Sequence, residues 1–436
     1  MRETYNLPQN FNLKTILLIG AGKSSTVLIR YLLKEAELNN WKFIIADADK
    51  NQVDVKTNHS RFAESVELDI NNETQRERLI QRAHVVISMM PPALHYIVAR
   101  DCVEFRKHLL TASYLDEQMK SLKDEIHHRK LFFLCEMGLD PGIDHMSAMK
   151  IIDGIREDEG NITSFKSHCG GLVAPESDDN PWHYKISWNP RNVVLAGKAG
   201  AEYKLEGVNK KIPYRELFDT ANLVNIDGLG QLAFYPNRDS LAYIPVYKMP
   251  GAETFLRTTL RHPSFFAGWN AIVHAGLTDD VAALNPDGLS FAPWSLAILP
   301  FVTDKNKELL SYLGLFSDDL VPQSCKMSAD ILQFLMETKL AMAPEDKDMI
   351  VMLHEFEYEL KAGKKYLQSS LVVNGEDSLY TAMAKTVGLP LGIAAKLLLN
   401  GGIKLRGLHI PSIKQIYEPV LRELEEHGIK FVEKRW

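Results

Sequence analysis

TILLIGAGKSSTVLIRYLL (Thr15–Leu33) sets a short apolar run directly before Gly20-Ala21-Gly22 and follows it with apolar residues at helical spacing: Val27, Leu28, Tyr31 and Leu32. That order predicts a strand, a glycine turn and a helix. The turn reads G-x-G-x-x-S, with Ser25 where a third glycine would stand. A second apolar run, WKFIIAD, ends at Asp47, 25 residues beyond Gly22. The pattern is that of a parallel β-α-β unit that receives a dinucleotide at its helix N-terminus. Gly20, Gly22, Lys23, Ser24 and Ser25 are the candidate cofactor-binding turn. A carboxylate at Asp47 accepts hydrogen bonds from the adenosine ribose hydroxyls and repels the phosphate that NADP carries there, so NAD is the expected cofactor. Lys50 lies close by and keeps NADP as the alternative. A β-α-β unit without nucleotide is the plainer reading of the same residues.

Working outward, VELDI (Val66–Ile70), VVISMMPP (Val85–Pro92) and HLLTASY (His108–Tyr114) read as further strands with helical segments between them. Alternating strand and helix predicts an α/β fold, a Rossmann-type doubly wound parallel sheet, with its ligand crevice beyond the carboxyl ends of the strands. Asp69, Ser88, Met89, Met90 and Pro91 are expected beside the cofactor, and Ser113 and Tyr114 on the same rim.

Two polar turns come next. LFFLCEMGLDPGIDH (Leu131–His145) puts Glu136, Asp140, Asp144 and His145 just after an apolar run, on a turn forced by Gly138, Pro141 and Gly142. SHCGGLVAPESDDNPWHYKISW (Ser167–Trp188) repeats the theme, with Cys169 before a glycine pair and Lys185 among aromatics. From Tyr184 to about residue 270 short strand-like pieces dominate, among them ISW, NVVLAG, AEYKLEG, LAFYPNRDS, LAYIPVYKM and TFLRTTLRH. They predict a mixed α+β domain with an antiparallel sheet. Residues from about 265 to 342 read as Leu-rich helices. KDMIVMLHEFEYEL and YLQSSLVVNGE read as a hairpin, and TAMAKTVGLPLGIAAKLLLNGG as a helix stopped by glycines.

The chain has 436 residues, 45% hydrophobic and 24% charged, with a net charge of −6. That length implies two or three domains of roughly 150 residues each. The charge and the lack of a basic block exclude nucleic acid and an anionic membrane as expected partners. Four scattered cysteines suggest neither a disulfide scaffold nor zinc, and a cytoplasmic location is expected. The opening MRETYNLPQNFNLK has no apolar core of a leader, and no run of about 18 apolar residues marks a membrane span.

GLDPGIDH (Gly138–His145), the CGGL, APE and DNP pieces between Cys169 and Pro181, and YKISW (Tyr184–Trp188) resemble the saccharopine dehydrogenase family, L-glutamate-forming branch. The likeness extends through TASY (Thr111–Tyr114), YPNRDS (Tyr235–Ser240), TLR (Thr259–Arg261), KDMIVM (Lys347–Met352) and MAKTVGLP (Met383–Pro390). The resemblance implies an oxidoreductase of lysine metabolism that interconverts saccharopine and water with glutamate and 2-aminoadipate 6-semialdehyde, as a homodimer. It implies a dinucleotide domain over 1–137, with 378–408 packing back on it. An α+β substrate and dimerisation domain would take 138–265 and about 345–377, and a small all-α domain 266–344. Ser113, Tyr114, Asp140, Arg238, Thr259, Leu260 and Arg261 match substrate-binding positions, and Lys185 is a further helper. Arginine suits a substrate with three carboxylates because its planar fork holds both oxygens of each.

The reaction needs a base for the bridging nitrogen and then for water. Asp140, Tyr114 and Cys169 are the candidates; His145, His168 and His183 titrate in the right range but are more simply structural. No metal is expected, since hydride transfer from an amine needs no Lewis acid. Two other readings stay open: an enzyme of the carboxynorspermidine dehydrogenase kind, acting on a different imine, and a non-catalytic NAD(H)-binding sensor.

Overall fold

The computed structural model describes residues 13–436, so the reading of residues 1–12 as lacking a leader falls outside them. Two compact units divide the chain. One runs to His145 and includes Ala384–Glu423; the other comprises Met146–Met383 and Leu424–Trp436.

The first unit holds seven parallel strands among the described residues. In chain order these are β1 (Thr15–Ile19), β2 (Lys42–Asp47), β3 (Ala63–Glu67), β4 (Val85–Ser88), β5 (His108–Thr111) and β6 (Phe132–Leu134), with Gly407–His409 last. Their spatial order is Gly407–His409, β6, β5, β4, β1, β2, β3. All five residues of β1 and all four of β4 are buried, as the inner strands of a sheet covered on both faces must be. Strand order reverses between β1 and β4, and Ile19 pairs with Ser88 at that point. The crevice there opens at the carboxyl ends of both strands.

Helix α1 (Thr26–Asn39) stops at Asn40, whose left-handed backbone returns its N–H to Ala36 O. β3 lies three residues earlier than VELDI suggests. Asp69 turns the chain away, its carboxylate accepting from Asn71 N at 2.9 Å.

Helix α2 (His95–Glu104) follows β4, and α3 (Ile143–Glu157) closes the GLDPGIDH turn and leads into the second unit. That unit carries a ten-stranded sheet among the described residues. Its central strand is β7 (Asn161–Val173). The sheet is mixed rather than antiparallel throughout, because β7 pairs in parallel with Thr254–Arg261. The excursion between them returns the chain to the same end. β8 (Gly230–Pro236) borders that strand, β9 (Thr254–Arg261). On its other side β7 pairs with β10 (Asp348–Leu360), which turns into β11 (Gly363–Asn374).

Three pieces expected as strands differ. NVVLAG falls on the short helix Pro190–Val194, since Asn189 caps Asn192 N and Pro190 takes the first helical position. LAYIPVYKM contains the helical turn Tyr243–Val246, and Ile186 of ISW makes only an isolated bridge to Ala341. The helices between Pro263 and Lys339 share one apolar core with Trp182, Tyr184 and Tyr235, so they belong to the second unit.

Helix α4 (Ala382–Leu399) starts on Asp348, whose carboxylate accepts from Ala382 N at 2.5 Å and Met383 N at 3.0 Å. It is apolar and long enough to cross a membrane, yet 72% of it is buried in the protein. Within the first unit, Gly388 and Gly392 bring it against α1. A Cβ on Gly388 would lie 2.9 Å from Leu28 N, and one on Gly392 2.6 Å from the Tyr31 ring. Gly388→Val should therefore cost about 1–3 kcal/mol, because backbone cannot yield as a side chain does. A lowered thermal midpoint with unchanged helix content would show it; an unchanged midpoint would refute this packing.

Candidate active site

The glycine turn after β1 is shaped by two different demands. Gly20 has φ +99°, and a Cβ there would sit 3.0 Å from Met89 C and O, so this position needs glycine. Gly22 has an ordinary φ of −63°, and a Cβ there would meet nothing within 4 Å. Its missing side chain leaves open room above the turn, where a pyrophosphate approaches the backbone. These residues fit a dinucleotide. Ser25 faces inward, its Oγ donating to Gly22 O at 2.8 Å, while Lys23 is exposed and Ser24 half-buried.

Asp47 ends β2, half-buried, and also holds the turn. Its Oδ2 accepts from Ala21 N at 2.6 Å and its Oδ1 from Asp49 N at 3.0 Å. Each oxygen keeps a lone pair for a ribose hydroxyl. Lys56, which nothing in the spacing marked, donates to Ala21 O at 2.6 Å and Gly22 O at 2.7 Å. Burial pushes its amine down to about 8, against the pull of Asp47. The nearby Lys50 is engaged by Asp54 at 2.6 Å. Ser88 is buried; Met89 and Met90 are half-buried and Pro91 exposed, beyond the end of β4. Asp69 is exposed in its own turn.

Across the strand ends, His95 links two expected ligand contacts. Its Nδ1 lies 2.8 Å from Ser88 Oγ and its Nε2 2.7 Å from Ser113 Oγ. Only 5% of it is exposed. Burial holds its pKa at about 4, with Asp116 opposing, so the ring is neutral near pH 7. The GLDPGIDH turn is tied to the same rim. Tyr114 Oη donates to Asp140 Oδ1 at 3.2 Å. Buried Glu136 accepts from Leu115 N at 2.9 Å through Oε1, and its Oε2 lies 2.9 Å from His145 Nε2. Asp144 accepts from Gly142 N at 2.6 Å. Glu136, Asp144 and His145 thus shape the turn that presents Asp140, and Glu136 ties it to the main chain just after Tyr114.

In the second unit, register aligns Cys169 with Thr259 on one side and Met352 on the other, so the three share a sheet face. Arg261, two residues on from Thr259, takes the same face. It is 4% exposed, lying against the rings of Tyr184 at 5.2 Å and Phe265 at 5.5 Å, which also touch each other. Its Nη1 donates to Leu260 O at 2.9 Å, while its Nε has no hydrogen-bond partner among the described residues. Leu260 points to the opposite face, fully buried, against the place where Gly170 lacks a Cβ. Its side chain is core, leaving only main chain for a ligand. Arg238 is exposed, with a left-handed backbone at φ +53°. Pro236 pairs with Thr258, which places Arg238 and Arg261 at different levels of the sheet. Lys185 is occupied by Asp346 at 2.7 Å and Asp179 at 2.8 Å. Burial opposes its charge, but these two acids outweigh it and hold the amine above the usual lysine range.

Two family models match in succession: the saccharopine dehydrogenase NADP binding domain over 16–132 and the saccharopine dehydrogenase C-terminal domain over 138–429. The chain belongs to the saccharopine dehydrogenase family. The saccharopine dehydrogenase (NADP(+), L-glutamate-forming) of Saccharomyces cerevisiae is 31% identical over 449 residues, covering 97% of this chain and 99% of that one. Mouse mitochondrial alpha-aminoadipic semialdehyde synthase is 35% identical over 447 residues, covering 96% of this chain. This chain spans about half of that relative, 47%. The solved apo saccharopine dehydrogenase (L-Glu forming) of S. cerevisiae superposes with a TM-score of 0.86 at 30% identity, over 97% of this chain and 100% of that one. This family membership fits the dinucleotide turn of the first unit and, separately, the buried arginine on the sheet of the second.

The neutral, buried His95 sets a pH dependence. Between an unfolded pKa near 6.5 and the folded value of about 4, the unfolded chain binds a proton that the folded one does not. Stability should fall as pH drops through that window, by about 2 kcal/mol at pH 5. His95→Gln should lose less stability than the parent between pH 7 and pH 5 in denaturant melts; equal losses would refute this assignment.

Proposed function

We propose that this chain catalyses the NAD-dependent interconversion of L-saccharopine and water with L-glutamate and L-2-aminoadipate 6-semialdehyde. The observation that carries the reading is Arg261: a buried guanidinium, lying against two aromatic rings, with a donor left for an anion. A buried donor without a partner costs free energy that a bound carboxylate recovers. Arg238, at another level of the same sheet, suits a second carboxylate of a long substrate. Thr259 adds a hydroxyl beside Arg261.

When bound, the dinucleotide accepts hydride from the lysine-side carbon next to the bridging nitrogen. The chain supplies orientation and proton handling. Tyr114 and Asp140 are the proposed proton-handling pair: a phenol donating to a carboxylate can pass a proton from the nitrogen, or from attacking water, toward Asp140. Cys169, buried beside Thr259, is read as part of the site wall.

Asp47 supports NAD over NADP, although the fungal relatives are named for NADP(+). A carboxylate at the end of the second strand disfavours a 2′-phosphate on the adenosine ribose, and Lys56 is spent on the carbonyls of Ala21 and Gly22. Asp47→Ser should shift the ratio of catalytic efficiencies toward NADP by about tenfold, since removing a like charge is worth roughly 1.4 kcal/mol. An unmoved ratio would exclude this role. Homodimer assembly is proposed with the same reading, and sedimentation of the intact chain tests it.

The deciding experiment follows NADH absorbance with saccharopine and NAD at mildly alkaline pH and identifies both products. Glutamate with the semialdehyde is expected; lysine with 2-oxoglutarate would place the hydride on the other side of the nitrogen and refute the proposal. Arg261→Met should raise KM for saccharopine at least about thirtyfold, the worth of a charge-assisted hydrogen bond, while NADH binding persists.

A further inference from the structure

Ser88 and Ser113 stand at the ends of adjacent parallel strands, β4 and β5, where Ser88 pairs with Thr111. His95 lies between them, within hydrogen-bond reach of both hydroxyls through different nitrogens. Thr111 Oγ1, 3.3 Å from Nε2, also accepts from Ser113 N at 3.3 Å, which holds the Ser113 main chain to the same cluster. A neutral imidazole has one donor and one acceptor nitrogen. The two serines therefore cannot play the same part: one gives its proton to the ring, and the other receives the ring's proton. Ser88 is wholly enclosed, so only the half-buried Ser113 has a property left to offer outward. If it receives the ring's proton it keeps its own to donate; if it gives, it keeps only lone pairs.

We propose that His95 is a positioning residue that fixes the polarity of the Ser113 contact, donating through Nε2–H to Ser113 and accepting at Nδ1 from the wholly buried Ser88, which anchors the ring. This deepens the proposed function and rests on Ser113 being a substrate contact in it. With this tautomer Ser113 turns its proton toward a substrate carboxylate. The other tautomer would aim Ser113 lone pairs at an anion, which repels it. Burial of the ring in a cluster of hydroxyls keeps it uncharged, so that only one of its nitrogens donates.

Two readouts separate this from a role in packing alone. The first is nitrogen NMR of the histidine-labelled full chain, with the His95 signals assigned by their loss in His95→Gln. Protonated Nε2 is expected, and protonated Nδ1 would overturn the proposal. The second is a double-mutant cycle. His95→Leu should raise KM for saccharopine about tenfold in the parent, and less than about twofold once Ser113→Ala is present, while NADH affinity stays unchanged. His95→Gln, which keeps a donor toward Ser113, should restore the saccharopine KM. Additive losses would mean that His95 merely fills space. If the parent protein binds NADH but turns over no saccharopine, the proposed function fails, and the tautomer then decides the His95 inference by itself.

Discussion

The tightest constraint in the first unit is the passage of one main chain over another. At the reversal point of the parallel sheet, Gly20 runs so near Met89 that even a methyl group would collide with its carbonyl. Two adjacent strands, paired Ile19 to Ser88, are thereby made to end in turns that touch. Much else in the unit serves that contact. Asp47 and Lys56 grip the glycine turn from below, one at an amide and one at two carbonyls. On the other side, His95 and Thr111 hold the ends of β4 and β5 together. The strand ends are thus cross-braced by polar side chains, and the open space above Gly22 is left for a ligand.

In the second unit the costly element is Arg261. A guanidinium removed from water needs compensation, and Tyr184 and Phe265 provide part of it through their ring faces. The rest is incomplete, since Nε is unmatched and an unmet buried donor costs about 1–3 kcal/mol. Lys185 makes the contrast clear. It is as deeply buried as Arg261, but two carboxylates satisfy it, so it holds the SDDNPWHYK loop to Asp346. Two cations in neighbouring stretches thus have opposite duties, and their partners decide which is which.

The parts of this arrangement legible in the sequence are those whose partners are local. Gly20, Gly22 and Asp47 are readable because a strand, a turn and a helix fix their separation. The β10–β11 hairpin is readable because Lys361 and Ala362 alone separate its strands. His95 and Lys56 are not legible, because each is defined by groups that only the fold brings near. Lys56 reaches back 35 residues to Ala21, and His95 forward 18 to Ser113. NVVLAG misleads through its valines: a proline and an asparagine cap outweigh β-propensity there. The direction of the Leu260 side chain is not legible either, since a motif match names positions without saying which way each side chain points.

That alternation along β9 divides labour within a single strand. Thr258 and Leu260 face one way, into a bond with His168 and into the core; Thr259 and Arg261 face the other, beside Cys169 and the aromatic rings. Residues one step apart thus answer to different selective pressures. The even-numbered pair spends its side chains on the sheet's interior, while the odd-numbered pair sets a hydroxyl and a guanidinium on the face that carries Cys169. One strand thereby joins scaffold and specificity, and a change of ligand at Arg261 must also reckon with the aromatic packing that Tyr184 and Phe265 give it.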